Sequence, residues 1–179
     1  MGKIYDCIDD KLAVWLGQQK MFFVATAPLL ADGRVNCSPK GMDTFRILGP
    51  NEVAYLDLTG SGIETAAHLR ENGRIVFMFC AFAGPPRIVR LHGGGEVITP
   101  QHDDFSNLCR LFPEHPGIRA VVKAKLTRVS DSCGYSVPRY EYLEDRDMLD
   151  RWADSKGSEG LATYRRKKNS RSLDDLPGI

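Results

Sequence analysis

From residue 21 to residue 129 the chain is a succession of short β-prone runs punctuated by turn chemistry, without the regular strand-helix-strand rhythm of a parallel sheet. That succession restricts it to an antiparallel architecture. Met21–Leu29 is apolar and β-prone, Ala31-Asp32-Gly33-Arg34 supplies a turn, and Val35–Pro39 returns as the second arm of a hairpin. A turn at Gly49-Pro50-Asn51 leads into Glu52–Leu58; after a short helix come Arg74–Cys80 and Arg87–His92, and Ile118–Val129 is a long β-like run. Gly93-Gly94-Gly95 interrupts a stretch that resumes at Glu96–Thr99, and three glycines in a row mark a bulge or a sharp barrel corner. Six or seven strands with three or four peripheral helices predict a mainly β fold, an antiparallel barrel.

The helices are amphipathic. Ile8–Gln19 places Ile8, Leu12, Trp15 and Leu16 on one face, with Asp9 and Asp10 at the positive end of the dipole. Gln101–Phe112 aligns Phe105, Leu108, Cys109 and Phe112 ahead of Pro113 and Pro116, and Glu144–Lys156 turns Met148, Leu149 and Trp152 inward. A length of 179 residues fits one domain with a small appendage, taken as a barrel over residues 1–130 and a C-terminal loop, helix and tail over 131–179. Lys and Arg total 24 against 23 Asp and Glu, which leaves no electrostatic footprint for nucleic acid or an anionic membrane and points to a small-molecule partner. The five cysteines include no CxxC pair, so they are read as reduced thiols. With no basic leader and no apolar window of membrane-spanning length, the expected location is cytoplasmic.

Asp57-Leu58-Thr59-Gly60-Ser61-Gly62-Ile63-Glu64-Thr65 runs from a strand end through small residues into a helix that Asn72-Gly73 terminates. Its free N–H groups can hold a phosphate, or Ser61 and Glu64 can satisfy them as a capping box. Lys40 leaves the hairpin in Ser38-Pro39-Lys40-Gly41, and Arg87 and Arg90 flank Ile88-Val89 on a strand suited to burial, where arginines need anionic or carbonyl partners. The histidines are scattered without ligand spacing, so no metal site is expected, and neither a nucleophile elbow nor a P-loop or dinucleotide fingerprint stands in a strand-to-helix context. Cys133-Gly134-Tyr135-Ser136-Val137-Pro138 can line a pocket and stack a planar ring, or Cys133 can be an inert packed thiol. Arg165-Arg166-Lys167-Lys168 can be an anion clamp or a targeting patch, and is read first as part of a solvated tail.

The order of these segments, the hairpin, Ser38–Gly41, Asp57–Thr65, His68–Ile75 and Gly84–Gly93, resembles the pyridoxamine-phosphate-oxidase-related FMN-binding family over residues 10 to 100. Cys133–Pro138 and Lys168–Ile179 are similar to one bacterial and fungal branch of it. The resemblance implies a split β-barrel that forms a homodimer, with FMN in a cleft between subunits and an oxidoreductase activity carried by the flavin. It places Lys40, Thr59, Gly60 and Ser61 at the cofactor, with Ser38, Thr65 and Arg87 close by. Glu64-Thr65 stands where the oxidase has an Arg-Lys pair, and Ile88 where it has a glutamine facing the flavin. Arg34, Arg87 or a residue of the partner chain then replaces the two missing cations, or the flavin binds weakly or in another pose. The tail Leu173–Gly178 lacks the oxidase's substrate signature, which disfavours pyridoxamine phosphate as substrate. If a side chain takes part in catalysis, Tyr135 or Cys133 is the candidate. Rival readings are a non-catalytic flavin-binding or sensing protein, and a split barrel using deazaflavin or haem, with His92 or His68 as axial ligand.

Overall fold

A computed structural model describes residues 2–179. Its elements in chain order are β1 (Ile4–Tyr5), α1 (Asp10–Gly17), β2 (Phe22–Thr26), β3 (Asn36–Lys40), β4 (Phe45–Gly49), β5 (Glu52–Leu58), α2 (Glu64–Asn72), β6 (Arg74–Cys80), β7 (Ile88–Ile98), α3 (Phe105–Cys109), β8 (Ile118–Ser132) and α4 (Met148–Lys168). The strands run β3-β2-β6-β7-β8-β5-β4, with β1 added to β8, and every pair is antiparallel. The sheet curls without pairing β3 to β4, which makes it a split barrel.

Period-two burial drives the curl. In β2 Phe22, Val24 and Thr26 are buried and the residues between them half-buried, so one face of the strand enters the core. There Phe22, Phe45, Tyr55, Phe77 and Phe79 form an aromatic cluster with centroid separations from 4.9 to 6.4 Å, mostly tilted or edge-on, as ring quadrupoles prefer. Helix α1 closes this core with Leu12 and Leu16, and its start is fixed by the Asp9 carboxylate, which accepts the Leu12 N–H at 2.8 Å. A smaller cluster of Ala54, Leu56, Ile98, Phe112 and Val121 fills the opposite side, under α3.

Several boundaries differ from the sequence expectation. Strands β1 and β4 were not foreseen; all five residues of β4 are half-buried, so no alternation marks it. Strand β7 is continuous through Gly93-Gly94-Gly95, with its register shift on β8 between His92 and Gly93. A bulge is therefore what the glycines make. A Cβ on Gly93 would collide with the Lys125 carbonyl, whereas one on Gly94 meets nothing within 4 Å. Gly93→Ala is expected to destabilise by about 1–3 kcal/mol while Gly94→Ala changes far less, a contrast that thermal unfolding of the two variants checks. Helix α3 keeps only five residues of the expected Gln101–Phe112. Helix α4 starts four residues later than expected, breaks at Gly157 (φ 62°, ψ 177°), and then continues to Lys168 where a solvated tail was expected.

Candidate cofactor cleft

Strand β3 pairs with β2 from Asn36↔Thr26 to Lys40↔Phe22, so Lys40 ends the strand on the same face as Asn36 and Ser38. It opens onto a cleft of about 1290 Å³ between the barrel and the irregular stretch after β8. Trp15 of α1, Lys40, and Arg87 just before β7 line the barrel side; Cys133, Tyr135 and Tyr140 line the other. Four of the residues singled out from sequence, from three distant segments, thus meet in one cavity.

Arg87 is held rigidly. Its guanidinium donates to Asp131 Oδ2 at 3.2 Å and to the Tyr5 hydroxyl at 2.7 Å, and lies 4.9 Å from the Trp15 ring centroid. Gly134 (φ 65°) lets the chain after β8 pass so close that a Cβ would stand 2.9 Å from the Arg87 nitrogen. Burial pushes the Asp131 carboxyl up, but the Tyr5 hydroxyl, the Lys3 N–H and Arg87 outweigh it and hold the group below its usual range. Tyr135 sits at the rim, 82% exposed.

Behind Lys40 lies a buried ion cluster. Lys40 Nζ is 3.4 Å from Asp57 Oδ1 and 5.4 Å from the Tyr55 ring centroid; the other Asp57 oxygen accepts Arg119 Nε at 2.8 Å, and Arg119 also donates to the Gly62 carbonyl. Both side chains of the Asp57–Arg119 pair are 5% exposed. Burial raises the Asp57 pKa, yet Arg119 and Lys40 overcome it and keep the carboxyl below its ordinary value. Arg119 was missed in the sequence, although a charge inside the apolar run Ile118–Val122 is itself a signal of a buried partner.

The remaining expected site residues stand outside the cleft lining. The Thr59 hydroxyl donates to Gly117 O at 2.8 Å and accepts from Arg165 Nε at 2.9 Å, the Gly60 carbonyl accepts from Asn169 Nδ2 at 3.0 Å, and Ser61 is exposed. Thr65 accepts from Asn36 Nδ2, whose Oδ1 in turn accepts from Ser38. The Ser61–Glu64 capping box does not form, because Ile63 is the N-cap and Glu64 Oε1 accepts the Leu173 N–H. Arg165 is no solvated tail residue either: it bonds Thr59 and the Ile118 carbonyl, and burial lowers its pKa.

His68 is fully buried, its Nδ1 2.9 Å from Thr26 Oγ1, and burial depresses its pKa; neither it nor His92 lines the cleft. Among the described residues no three His, Cys, Asp or Glu side chains are grouped to hold a metal ion, all five cysteines are free thiols, and no helix is long and apolar enough to cross a membrane. The cleft lining joins aromatic side chains (Trp15, Tyr135, Tyr140) to cations (Lys40, Arg87), a set whose chemistry suits a planar heteroaromatic ring such as isoalloxazine, and it exceeds the usual size of a small-ligand pocket. The loop before α2, by contrast, is covered by this chain's own tail, and the Glu64 carboxylate beside the helix start opposes a phosphate there.

An open antiparallel barrel of this strand order defines a split-barrel protein. The family model for pyridoxamine 5'-phosphate oxidase matches residues 8–133. The pyridoxamine 5'-phosphate oxidase family protein ustO of Aspergillus flavus is 39% identical over 197 residues, taking in 100% of this chain and 78% of that protein. The chain belongs to the pyridoxamine 5'-phosphate oxidase family. HupZ of group A Streptococcus (20% identical, 68% of this chain and 91% of that one, TM-score 0.52) shares the fold. So does a Lactobacillus delbrueckii protein provisionally assigned as a pyridoxamine 5'-phosphate oxidase (18% identical, 71% and 98%, TM-score 0.53).

Proposed function

We propose that this chain is an FMN-dependent oxidoreductase that works as a homodimer, with the flavin ring in the cleft and residues 131–179 packed on the barrel as its outer wall. The observation that carries the reading is the convergence of Trp15, Lys40, Arg87, Cys133 and Tyr135 on one cavity in a chain of this family. Bound flavin supplies hydride or single-electron chemistry. The chain's own residues position and screen. The Arg87 guanidinium, lying over the Trp15 ring, gives a bound ring a cationic surface, Asp131 and Tyr5 fix that guanidinium, and Lys40 adds positive charge at the inner end. Tyr135 and Cys133 stand where a substrate enters. The exposed Tyr140, Leu143 and Met148 beside the cleft give a second copy an apolar surface to cover, which would exclude water from the ring.

The test is the visible spectrum of protein purified without added cofactor, followed by mass determination of any released chromophore. A stoichiometric flavin signal, with bound flavin reduced by a nicotinamide donor and reoxidised over repeated turnovers, is the expected result. A colourless protein that also refuses added flavin sinks the reading, and flavin that binds but cannot be reduced transfers it to storage or sensing. Tyr135→Phe is expected to slow turnover while leaving the bound-flavin spectrum unchanged. Equal turnover in the variant removes the Tyr135 hydroxyl from the chemistry.

A further inference from the structure

We propose that the C-terminal hairpin of this chain fills the anion cradle at the start of α2, so that the cleft selects its cofactor by the ring and gains no affinity from a terminal phosphate. The inference deepens the flavin reading and rests on it for the identity of the ring.

The first turn of a helix draws anions, because its N–H groups lack intrahelical partners and the dipole places partial positive charge there. In this chain the loop leading into that turn is covered by the chain's own C-terminus, and the Glu64 carboxylate lies beside it, although no side chain caps the helix. Residues 169–179 close into a hairpin through Ser172 N–H to Leu176 O, Gly178 N–H to Ser170 O and Ile179 N–H to Asn169 O. The hairpin is seated on the loop before α2. Asn169, fully buried, donates to the Gly60 carbonyl, and a Cβ on Gly178 would collide with the Asn169 carbonyl and stand 3.0 Å from Ile63. Leu173 donates to one oxygen of Glu64, while the other lies 2.6 Å from where a Gly62 Cβ would be, so this carboxylate folds back over the helix start. Asp174, its side chain 7% exposed, accepts from both the backbone N–H and the guanidinium of Arg34.

Five of the cations that could hold a phosphate are also committed. Arg34 is paired with Asp174, Arg87 with Asp131, and Lys40 and Arg119 share Asp57, while Arg165 spends its donors on Thr59 and a carbonyl. The cleft lining balances Lys20, Lys40, Arg87 and Arg146 against Asp131, Glu141, Glu144 and Asp145, so it offers no net pull on an anion. A phosphate entering at α2 would have to displace a carboxylate from the helix start and break the Arg34 pair. A ring in the cleft disturbs neither.

Ligand-free protein is titrated in parallel with riboflavin and with FMN, following flavin fluorescence. Affinities within about threefold of each other are expected; FMN preferred by about tenfold or more, with that preference erased by inorganic phosphate, overturns the inference. If neither flavin binds, it is the flavin reading that fails, and the cradle is judged with inorganic pyrophosphate alone. Pyrophosphate is expected to leave the melting temperature of the wild-type chain unchanged, and stabilisation by it overturns the inference. The double variant Glu64→Gln, Asp174→Asn removes both carboxylates and frees Arg34, and a preference for FMN of about tenfold is expected to appear. An unchanged ratio in the folded variant shows that these carboxylates do not hold the place; should the variant not fold, the wild-type ratio and the pyrophosphate result decide.

Discussion

Asp57→Asn is expected to lower the unfolding free energy by about 3–5 kcal/mol, the cost of removing one partner from a buried ion pair. The reason is what remains behind. Arg119 is almost fully buried, its Nε loses its only carboxylate, and Lys40 loses the same partner from the other side. Arg165 already feels Arg119 as a like charge, and Asp57 is the carboxylate that offsets it. The variant therefore leaves an uncompensated positive cluster in a region of low dielectric. Urea denaturation of wild type and variant measures the loss, and a loss below about 1 kcal/mol would mean that water already solvates these ions. Adding Arg119→Leu to Asp57→Asn is expected to recover part of the stability, since a buried pair replaced by apolar groups is often close to neutral.

The same pair sets a pH signature. The folded pKa of Asp57 lies below its unfolded value of 3.8, so the carboxylate contributes its stability in full above that value and loses it as pH falls through the lower, folded one. The gap between wild type and Asp57→Asn should accordingly be constant near neutrality and narrow in acid below the unfolded value. A gap that instead widens on acidification contradicts a depressed folded pKa.

Phe77→Ala is the second large effect, about 3–5 kcal/mol, with a fall in melting temperature of roughly 10 °C for a chain of this size. Phe77 is fully buried on β6, its ring 5.9 Å from Phe45, 6.1 Å from Tyr55 and 6.4 Å from Phe22. It joins β2, β4 and β5 across the barrel interior, and neighbours drawn from three other strands leave little room to collapse into the space. The variant touches no cleft residue, so ligand affinity at a temperature where it is folded should match the wild type. Calorimetry and a ligand titration on one sample separate the two effects; weakened binding at full folding would show that the aromatic cluster also shapes the cleft.

How much of this was legible depends on the range of the forces involved. Strands β2, β5, β6, β7 and β8 were readable because their apolar runs and the intervening turns are local facts, and the bulge followed from three glycines in one strand. Strand β4 was not, since a strand with every residue half-buried shows no period. The Asp57–Thr65 segment was found as a functional candidate, but its two readings could not be separated locally. Whether its Gly60 carbonyl, Glu64 carboxylate and Thr59 hydroxyl are free depends on Asn169, Leu173 and Arg165, which lie more than a hundred residues further along the chain. Arg34 and Asp174 are 140 residues apart, and no local pattern announces their pairing.

By itself, then, the sequence determined an antiparallel split barrel of the pyridoxamine 5'-phosphate oxidase family, because burial period, turn chemistry and motif order are written residue by residue. Only the tertiary structure decided which of the candidate groups face the cleft and which are already satisfied within the chain. A cation or hydroxyl has a limited set of partners, and the ones it takes are chosen by the packing of distant segments.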